Sequence, residues 1–286
     1  LYQDYLSRYE DSEKAYLKSI ELDSKHSYPW NGLGNLYKNY FSKYEESEAA
    51  YLQAIKLNPV FSYPWNGLGN LYQAYLSKYR ESERAYLKAI ELDTKNAYPW
   101  NGLGNLYQYC LSRYKGSEEA YLKAIEINPK YSSPWNGLGN LYKNYLSRYE
   151  ESERVYLKSI ELDPKSAYPW NGLGNLYQNH LSKHEEAERA YLKAVELDPK
   201  FAYAWRNLAN LYMDHFQQYE KAERAYREAL DIDPQQYAWN KLGNLYQDYL
   251  QNYPAAEEAY RKDIELQKEP IAATLNLVFL LRDKMN

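Results

Sequence analysis

The chain has 286 residues, with 35 Lys and Arg against 39 Asp and Glu, a formal net charge of −4 and a pI near 5.8. This balance gives no general attraction to nucleic acid or to an anionic membrane, because both favour a basic excess. A single cysteine, Cys110, excludes an internal disulfide, so we expect a reducing, cytoplasmic compartment. The apolar run at 271–281 is far shorter than the roughly 20 residues that span a bilayer, and predicts no membrane anchor.

One nine-residue phrase, PWNGLGNLY, is written five times, at 29–37, 64–72, 99–107, 134–142 and 169–177, with altered copies at 204–212 and 238–246. The tryptophans at 30, 65, 100, 135, 170, 205 and 239 mark intervals of 35 residues, with a last interval of 34. Repetition at such a period predicts one elongated stack of small units rather than two compact domains.

The first half of each unit has the pattern of an α-helix. Trp30, Leu33, Gly34 and Tyr37 follow the i, i+3, i+4, i+7 spacing of one helix face, and Pro29 suits a first turn. Glycine inside a helix costs about 1 kcal/mol relative to alanine. We therefore expect Gly34 to allow a close approach of the two helices in a unit, and Trp30 to lie between units.

The second half of each unit predicts an amphipathic helix, whose apolar stripe in the first full unit consists of Tyr44, Ser47, Tyr51, Ala54 and Ile55. Ser42 and Glu45 have capping-box spacing, as do the residues at 147 and 150 and at 182 and 185, so this helix is predicted to begin near the serine. Prolines at 59, 129, 164, 199 and 234 predict its end, because the residue before a proline is disfavoured in helical geometry.

The predicted fold is all-α, an α-solenoid of stacked antiparallel helix pairs, because one pair cannot bury its own apolar stripe. We predict a single solenoid over 1–286, composed of a partial repeat at 1–24, repeats at about 27–61, 62–96, 97–131, 132–166, 167–201, 202–235 and 236–270, and a terminal helix at 271–286. The chain starts at Leu1 inside a repeat, so we expect it to be a fragment of a longer protein.

Trp30, Leu33, Gly34 and Tyr37, followed by Tyr51, Ala54 and Pro59, resemble the tetratricopeptide repeat signature over essentially the whole chain. The resemblance implies a right-handed superhelix whose first helices line a concave face that binds extended peptides or partner segments. There are two departures from the family pattern. One extra residue lies in the turn within each repeat, and serine replaces the family's alanine at 47, 82, 117 and 152, with alanine restored at 187, 222 and 256.

Asparagines form a second stripe on the first helix, roughly opposite the tryptophan at 100° per residue. Its members are Asn31, Asn35, Asn66, Asn70, Asn101, Asn105, Asn136, Asn140, Asn171, Asn175, Asn210 and Asn244. The resemblance implies that asparagine at the place of Asn35 contacts a ligand's backbone, and an amide offers both a donor and an acceptor for this. The alternative is that these amides are solvated or bond to the adjacent helix.

Basic side chains on the same stripe, Lys38, Lys143 and Arg206, would favour an acidic segment. The family's carboxylate-clamp pattern is not reproduced, since glutamine or methionine often replaces lysine, as at 73, 108, 178 and 213. Tyrosines at 28, 63, 98 and 168 fall on the asparagine stripe and could form a rim for stacking or hydrogen bonding.

Other signals do not indicate catalysis. His180 and His184 occupy the places of Tyr145 and Tyr149 and lack a third ligand, so we interpret them as aromatic substitutes rather than metal ligands. The NGLGN segment has no third glycine or preceding strand, which excludes a phosphate loop. With no nucleophile–base pair either, we expect a non-enzyme that uses no cofactor or metal.

Three functions follow from these patterns. We expect a protein–protein interaction scaffold that binds an extended peptide or partner segment along its groove. The alternative is a self-associating structural or sensor arm of a larger signalling protein, with end-to-end contact through the apolar residues of 271–286. Single-stranded RNA binding is the third, and the acidic charge disfavours it.

Overall fold

The computed structural model describes residues 2–234, 238–266 and 270–283. Over these residues it contains sixteen helices and no β-strand, which confirms the all-α prediction. The helices are α1 Tyr2–Leu22, α2 Ser27–Leu36, α3 Tyr44–Leu57, α4 Ser62–Ala74, α5 Tyr79–Leu92, α6 Ala97–Tyr109, α7 Tyr114–Ile127, α8 Ser132–Leu141, α9 Tyr149–Leu162, α10 Ala167–Leu176, α11 His184–Leu197, α12 Ala202–Asp214, α13 Tyr219–Ile232, α14 Trp239–Asn244, α15 Tyr253–Leu266 and α16 Ile271–Asp283. Four first helices continue as π-helical turns, at Tyr37–Phe41, Tyr142–Leu146, Tyr177–Leu181 and Leu245–Tyr249.

The chain divides into two compact units. Unit 1, Leu1–Ser147, contains α1 to α8, and unit 2, Arg148–Asn286, contains α9 to α16. Inside each unit, the two helices of a repeat pack together and each second helix packs on the first helix of the next repeat. The single solenoid over 1–286 and its right-handed superhelix stay predictions, and the predicted boundaries at 1, 235–236 and 284–286 lie outside the described residues.

The two glycines of the repeated phrase enclose a buried tyrosine. Tyr51 of α3 has no exposed surface. A Cβ atom built on Gly34 of the same repeat would lie 2.6 Å from its ring, and one on Gly67 of the next repeat would lie 2.5 Å from it. The predicted close approach at Gly34 is confirmed, and Gly67 extends the same contact to the neighbouring repeat.

The serines that replace the family's alanine make buried hydrogen bonds. In unit 1, the Ser47, Ser82 and Ser117 hydroxyls donate to backbone carbonyls of the paired first helix, across 2.7 to 2.9 Å. Ser47, for example, donates to the Gly34 carbonyl. The hydroxyl therefore adds a second link between the helices where alanine would supply packing alone.

The turn within each repeat corrects the capping-box prediction. Ser42 has a φ of 52°, in the left-handed region, and its side chain does not cap α3, which begins at Tyr44. The same left-handed conformation recurs at 77, 112, 147, 182, 217 and 251, occupied by serine or glutamine. These residues terminate the first helix, as glycine commonly does, so the serines at 42, 147 and 182 are not N-caps. The predicted helix ends are confirmed, since α3 ends two residues before Pro59.

Contacts between repeats combine apolar and polar groups. Trp65 is half-buried and packs against the cluster that contains Tyr51 of the preceding repeat, as predicted for a residue between units. The Tyr107 hydroxyl donates to Glu83 across 2.8 Å, and Arg113 pairs with the same carboxylate at 2.6 Å. Each repeat is thus fixed to its neighbour by a packed ring and a charged hydrogen bond.

Candidate functional site

The predicted asparagine stripe lies on a half-exposed surface of the first helices, which we call the asparagine face. In unit 1 it consists of Asn31 and Asn35 on α2, and the equivalent pairs on α4, α6 and α8, all of intermediate exposure. These first helices also contact one another in chain order, α2 with α4, α4 with α6 and α6 with α8. The fold therefore places the asparagines of consecutive repeats on adjacent helices.

The amide oxygens of the Asn35 class point to the buried tyrosines. The Tyr51 hydroxyl donates to Asn35 Oδ1 at 2.7 Å, that of Tyr86 to Asn70 Oδ1 at 2.8 Å, and that of Tyr121 to Asn105 Oδ1 at 2.7 Å. In unit 2 the Tyr226 and Tyr260 hydroxyls donate to Asn210 and Asn244 across 2.6 and 2.9 Å. Asn140 is hydrogen-bonded to the Tyr109 hydroxyl. The bond to the adjacent helix, one of the two alternatives from the sequence, is thus present, and in Asn35, Asn70 and Asn105 it leaves the amide N–H groups for a ligand.

The Asn31 class also turns its oxygens inward. Oδ1 of Asn31, Asn66, Asn101 and Asn136 is buried and accepts no hydrogen bond, although each residue is half-exposed. On α2, α4 and α6 both asparagine rows therefore hold their acceptors inside, and the amide nitrogens are the polar atoms of these residues left for the surface.

One repeat of unit 2 has a different arrangement. Asn207 replaces the glycine of the earlier repeats, and its Nδ2 donates to Asn171 Oδ1 at 2.9 Å. Asn175 Nδ2 donates to the Asn171 carbonyl, and the Tyr191 hydroxyl donates to Gln178 instead. The donor pattern of unit 1 is therefore not preserved at Asn171 and Asn175.

The three predicted basic residues differ in their environment. Lys38 is half-buried, and burial lowers the pKa of its amine. Lys143 is buried, and desolvation lowers the pKa of its amine to about 8. The Arg206 guanidinium lies over the Tyr203 ring at 4.8 Å from its centroid, a cation–π contact.

The predicted tyrosine rim is exposed. Tyr28, Tyr63, Tyr98 and Tyr168 have exposed fractions between 53% and 64%. Three of them are supported by a ring from the next repeat: Tyr28 lies 4.5 Å from Phe61, and Tyr98 and Tyr168 lie 5.1 Å from Tyr131 and Phe201. Rings held in this way present a face to a ligand at little cost in side-chain freedom.

The histidines act as rings, as expected. His180 stacks on Tyr149 with centroids 4.4 Å apart, and His184 stacks on His215 at 3.9 Å, where other repeats stack tyrosine on tyrosine. In the part of the chain that the structure describes, no group of three or more His, Cys, Asp or Glu could hold a metal ion. Over the same residues, no helix is both long and apolar enough to cross a bilayer.

The partner of the second-helix tyrosine hydroxyl is the feature that the sequence interpretation missed. The helical spacing of Tyr51 and its equivalents predicts core rings whose hydroxyls reach a polar edge, but not that they bond to the asparagine amides. The signal was the choice of tyrosine rather than phenylalanine or leucine at that place in every repeat, which indicates a use for the hydroxyl.

Comparison with known proteins agrees with this architecture. Residues 28–61, 63–96 and 97–131 match a family described as "Tetratricopeptide repeat", and residues 120–154, 155–189 and 180–237 match related families of the same description. The chain belongs to the tetratricopeptide repeat family. No curated protein sequence matches it significantly.

Two solved structures show the same tetratricopeptide repeat fold. The APC/C hetero-tetramer Cut9–Hcn1 matches 96% of this chain with a TM-score of 0.73 and 17% identity, and yeast Tom70 matches 97% with a TM-score of 0.67 and 14% identity. The chain spans 52% and 59% of those two chains. At such identity the likeness establishes the fold alone.

Proposed function

We propose that the chain is a non-catalytic interaction scaffold whose asparagine face binds an extended peptide or partner segment. The observation that carries this proposal is the row of half-exposed asparagines on α2, α4 and α6, where Asn35, Asn70 and Asn105 accept a tyrosine hydroxyl and so keep their oxygens inside. A buried tyrosine fixes the rotamer of Asn35 and its equivalents, so little side-chain entropy remains to be lost on binding. Family membership supports the same function, and Cut9–Hcn1 is itself an assembly of two different proteins.

The proposed contact residues are the twelve asparagines at 31, 35, 66, 70, 101, 105, 136, 140, 171, 175, 210 and 244, with Lys38, Lys143 and Arg206. Unit 1 is the better candidate, because Asn35, Asn70 and Asn105 on its consecutive first helices keep the same hydrogen bond to a buried tyrosine. Extended peptides display backbone carbonyls along their whole length, so a row of N–H donors can bind them with little dependence on side chains.

A displayed library of random peptides, selected on the whole chain, tests the proposal. Binders are then measured against Asn70→Asp/Asn105→Asp, in which each carboxylate still accepts the tyrosine hydroxyl while the amide donor is lost. Alanine would be less informative, because it removes the acceptor of the tyrosine hydroxyl together with the amide donor. The matched control is Asn58→Asp/Asn128→Asp, which adds the same charge at the ends of second helices where other repeats carry aspartate.

We expect the Asn70/Asn105 variant to weaken binding of the selected peptides by about tenfold or more, and the control to leave it unchanged. Peptides that bind all three proteins equally well would place the binding surface elsewhere and refute the proposal. Urea unfolding of each variant establishes that the loss is not caused by unfolding.

Self-association is the second candidate, and α16 supports it. Ile271, Leu275, Val278 and Phe279 have exposed fractions of 68%, 51%, 56% and 46%, at the i, i+4, i+7, i+8 spacing of one helix face. Val278 stands where earlier repeats have the glycine that admits a tyrosine ring, so a second helix of the usual kind does not fit there. A second copy of the chain would bury this face.

Sedimentation over a range of concentrations tests the self-association. We expect concentration-dependent dimers that Leu275→Glu/Val278→Glu abolishes. The control, Leu52→Glu/Leu87→Glu, changes exposed leucines on second helices and should not affect the dimer. A monomer at every concentration would eliminate this candidate.

A further inference from the structure

The middle of the asparagine face in unit 1 carries no charged side chain. On α4 and α6 the face consists of Tyr63, Asn66, Asn70, Gln73, Tyr98, Asn101 and Asn105, while Gln108, the equivalent of Gln73, is buried. The charged members of the stripe in this unit, Lys38 and Lys143, lie on the helices to either side. Recognition of an acidic segment would require cations here, so this surface fits an uncharged ligand.

The asparagines of this surface present donors. Asn70 and Asn105 have their oxygens bonded to Tyr86 and Tyr121, and the oxygens of Asn66 and Asn101 are buried. A β-strand ligand presents N–H groups as well as carbonyls, and the asparagine rows offer those N–H groups no acceptor, which leaves only the Tyr63 and Tyr98 hydroxyls to accept from them. A proline residue has a carbonyl and no N–H, so a segment rich in proline presents acceptors alone.

The spacing of the helices favours the same ligand. Packed helices lie about 8–10 Å apart, and α4 and α6 are in direct contact. A polyproline II helix has three residues per turn and a pitch of about 9 Å, whereas side chains on one face of a β-strand recur at about 7 Å. One carbonyl of each polyproline II turn can therefore meet one asparagine of each repeat.

The exposed rings complete the match. Tyr63 and Tyr98 are 53% and 55% exposed, at the first turns of α4 and α6, and Tyr98 is supported by Tyr131. Proline-rich segments bind to surfaces lined by aromatic rings, because the pyrrolidine packs on the ring face and the ligand is already ordered. We propose that the uncharged surface of α4 and α6 binds a proline-rich segment in the polyproline II conformation. This inference rests on the proposed function and names its ligand class.

The probe is a fluorescently labelled peptide of repeated Pro-Pro-Ser triplets, titrated into the whole chain and followed by anisotropy. Two further peptides serve as comparisons, one with alanine in place of proline and one rich in aspartate without proline. The proteins are the unchanged chain, Asn70→Asp/Asn105→Asp and the control Asn58→Asp/Asn128→Asp. Tyr63→Ser/Tyr98→Ser tests the rings, and because both side chains are exposed this variant should fold normally.

We expect the proline-rich peptide to bind at least about tenfold more tightly than the other two, and to lose that advantage in the Asn70/Asn105 and Tyr63/Tyr98 variants while the control retains it. Suppose instead that the aspartate-rich or alanine peptide binds more tightly than the proline-rich one, and that this binding is lost in the Asn70/Asn105 variant. That result would overturn the inference and leave the proposed function intact. Proline-rich binding that neither variant weakens, or no binding of this peptide, would overturn the inference. The library selection described above decides the proposed function separately.

Discussion

Substituting Gly67 by alanine should destabilise the protein although alanine is the better helix former. The new Cβ would lie 2.5 Å from Cε1 and 2.6 Å from Cζ of the Tyr51 ring. Carbon atoms in contact are normally about 3.5–4.0 Å apart, so the ring or the helix would have to move by roughly 1 Å. Gly34 lies against the same ring at a similar distance, and Tyr51 has no exposed surface, so the ring has little room to move.

The expected change in the free energy of unfolding is the difference between two opposed effects. Alanine gains about 1 kcal/mol over glycine in a helix interior, while overpacking a filled core costs typically about 1–3 kcal/mol and occasionally more. We expect a net loss of about 1–2 kcal/mol. Complete unfolding is not expected, because later repeats carry Asn207 and Lys241 at the place of Gly67.

The matched control is the same substitution at Gly116. This glycine lies in the first turn of α7, where other repeats carry Glu46, Glu81 and Glu151, so a side chain fits that place. A Cβ atom built on Gly116 would lie 3.1 Å from its nearest neighbour, the Tyr107 ring. This contact is tight, but the Tyr107 side chain is only half-buried. We expect Gly116→Ala to be neutral or to stabilise by up to about 1 kcal/mol.

Urea unfolding followed by far-ultraviolet circular dichroism measures both variants, and hydrogen exchange locates the effect. Gly67→Ala should lower the midpoint and weaken amide protection in α3 and α4, while Gly116→Ala should not lower it. A Gly67→Ala protein as stable as the unchanged chain would refute the idea that the two glycines are required by the enclosed tyrosine.

Three further predictions concern the turns and the titrating rings. Ser77→Gly should raise the free energy of unfolding by about 0.5–1 kcal/mol, because serine pays for its left-handed φ of 52° and glycine does not; a lower urea midpoint would contradict this. Burial, followed by the hydrogen bond to Glu83, raises the pKa of Tyr107 to about 12. The unfolded chain loses this proton near pH 10, so the native state binds more protons above that pH and its stability should fall between about pH 10 and 12, less steeply in Tyr107→Phe. Burial and the neighbouring His184 lower the pKa of His215, so the unfolded state binds more protons in acid and stability should fall below about pH 6.5. His215→Tyr should reduce this loss of stability, which urea unfolding above and below about pH 6.5 measures. A free energy of unfolding that falls as steeply in acid as that of the unchanged chain would exclude the pair of His184 and His215 as the source.

The helix pairs could be read from the sequence because the information is local. The i, i+3, i+4, i+7 spacing of Trp30, Leu33, Gly34 and Tyr37 reflects the period of a single helix. Proline two residues beyond α3, α7, α9, α11 and α13 marks the end of these helices for an equally local steric reason. Duplication along the chain then indicates stacking, since every unit leaves the same apolar face to be covered.

Local information did not determine the turn within the repeat. Ser42 and Glu45 have the spacing of a capping box, but that spacing does not specify φ. The packing of α2 on α3 requires the chain to reverse direction sharply, and this places Ser42 in the left-handed region, where its hydroxyl cannot cap the next helix.

The sequence predicted which residues line the candidate site, whereas the tertiary structure determined which of their polar atoms face the surface. Helical periodicity places Asn35 and Asn70 on an exposed stripe, but either end of an amide can face a neighbour. Tyr51 and Tyr86 reach these amides from second helices sixteen positions further along the chain, and their hydroxyl protons hold the oxygens inside. Because that choice depends on contacts between helices, only the folded molecule decides that the surface offers donors.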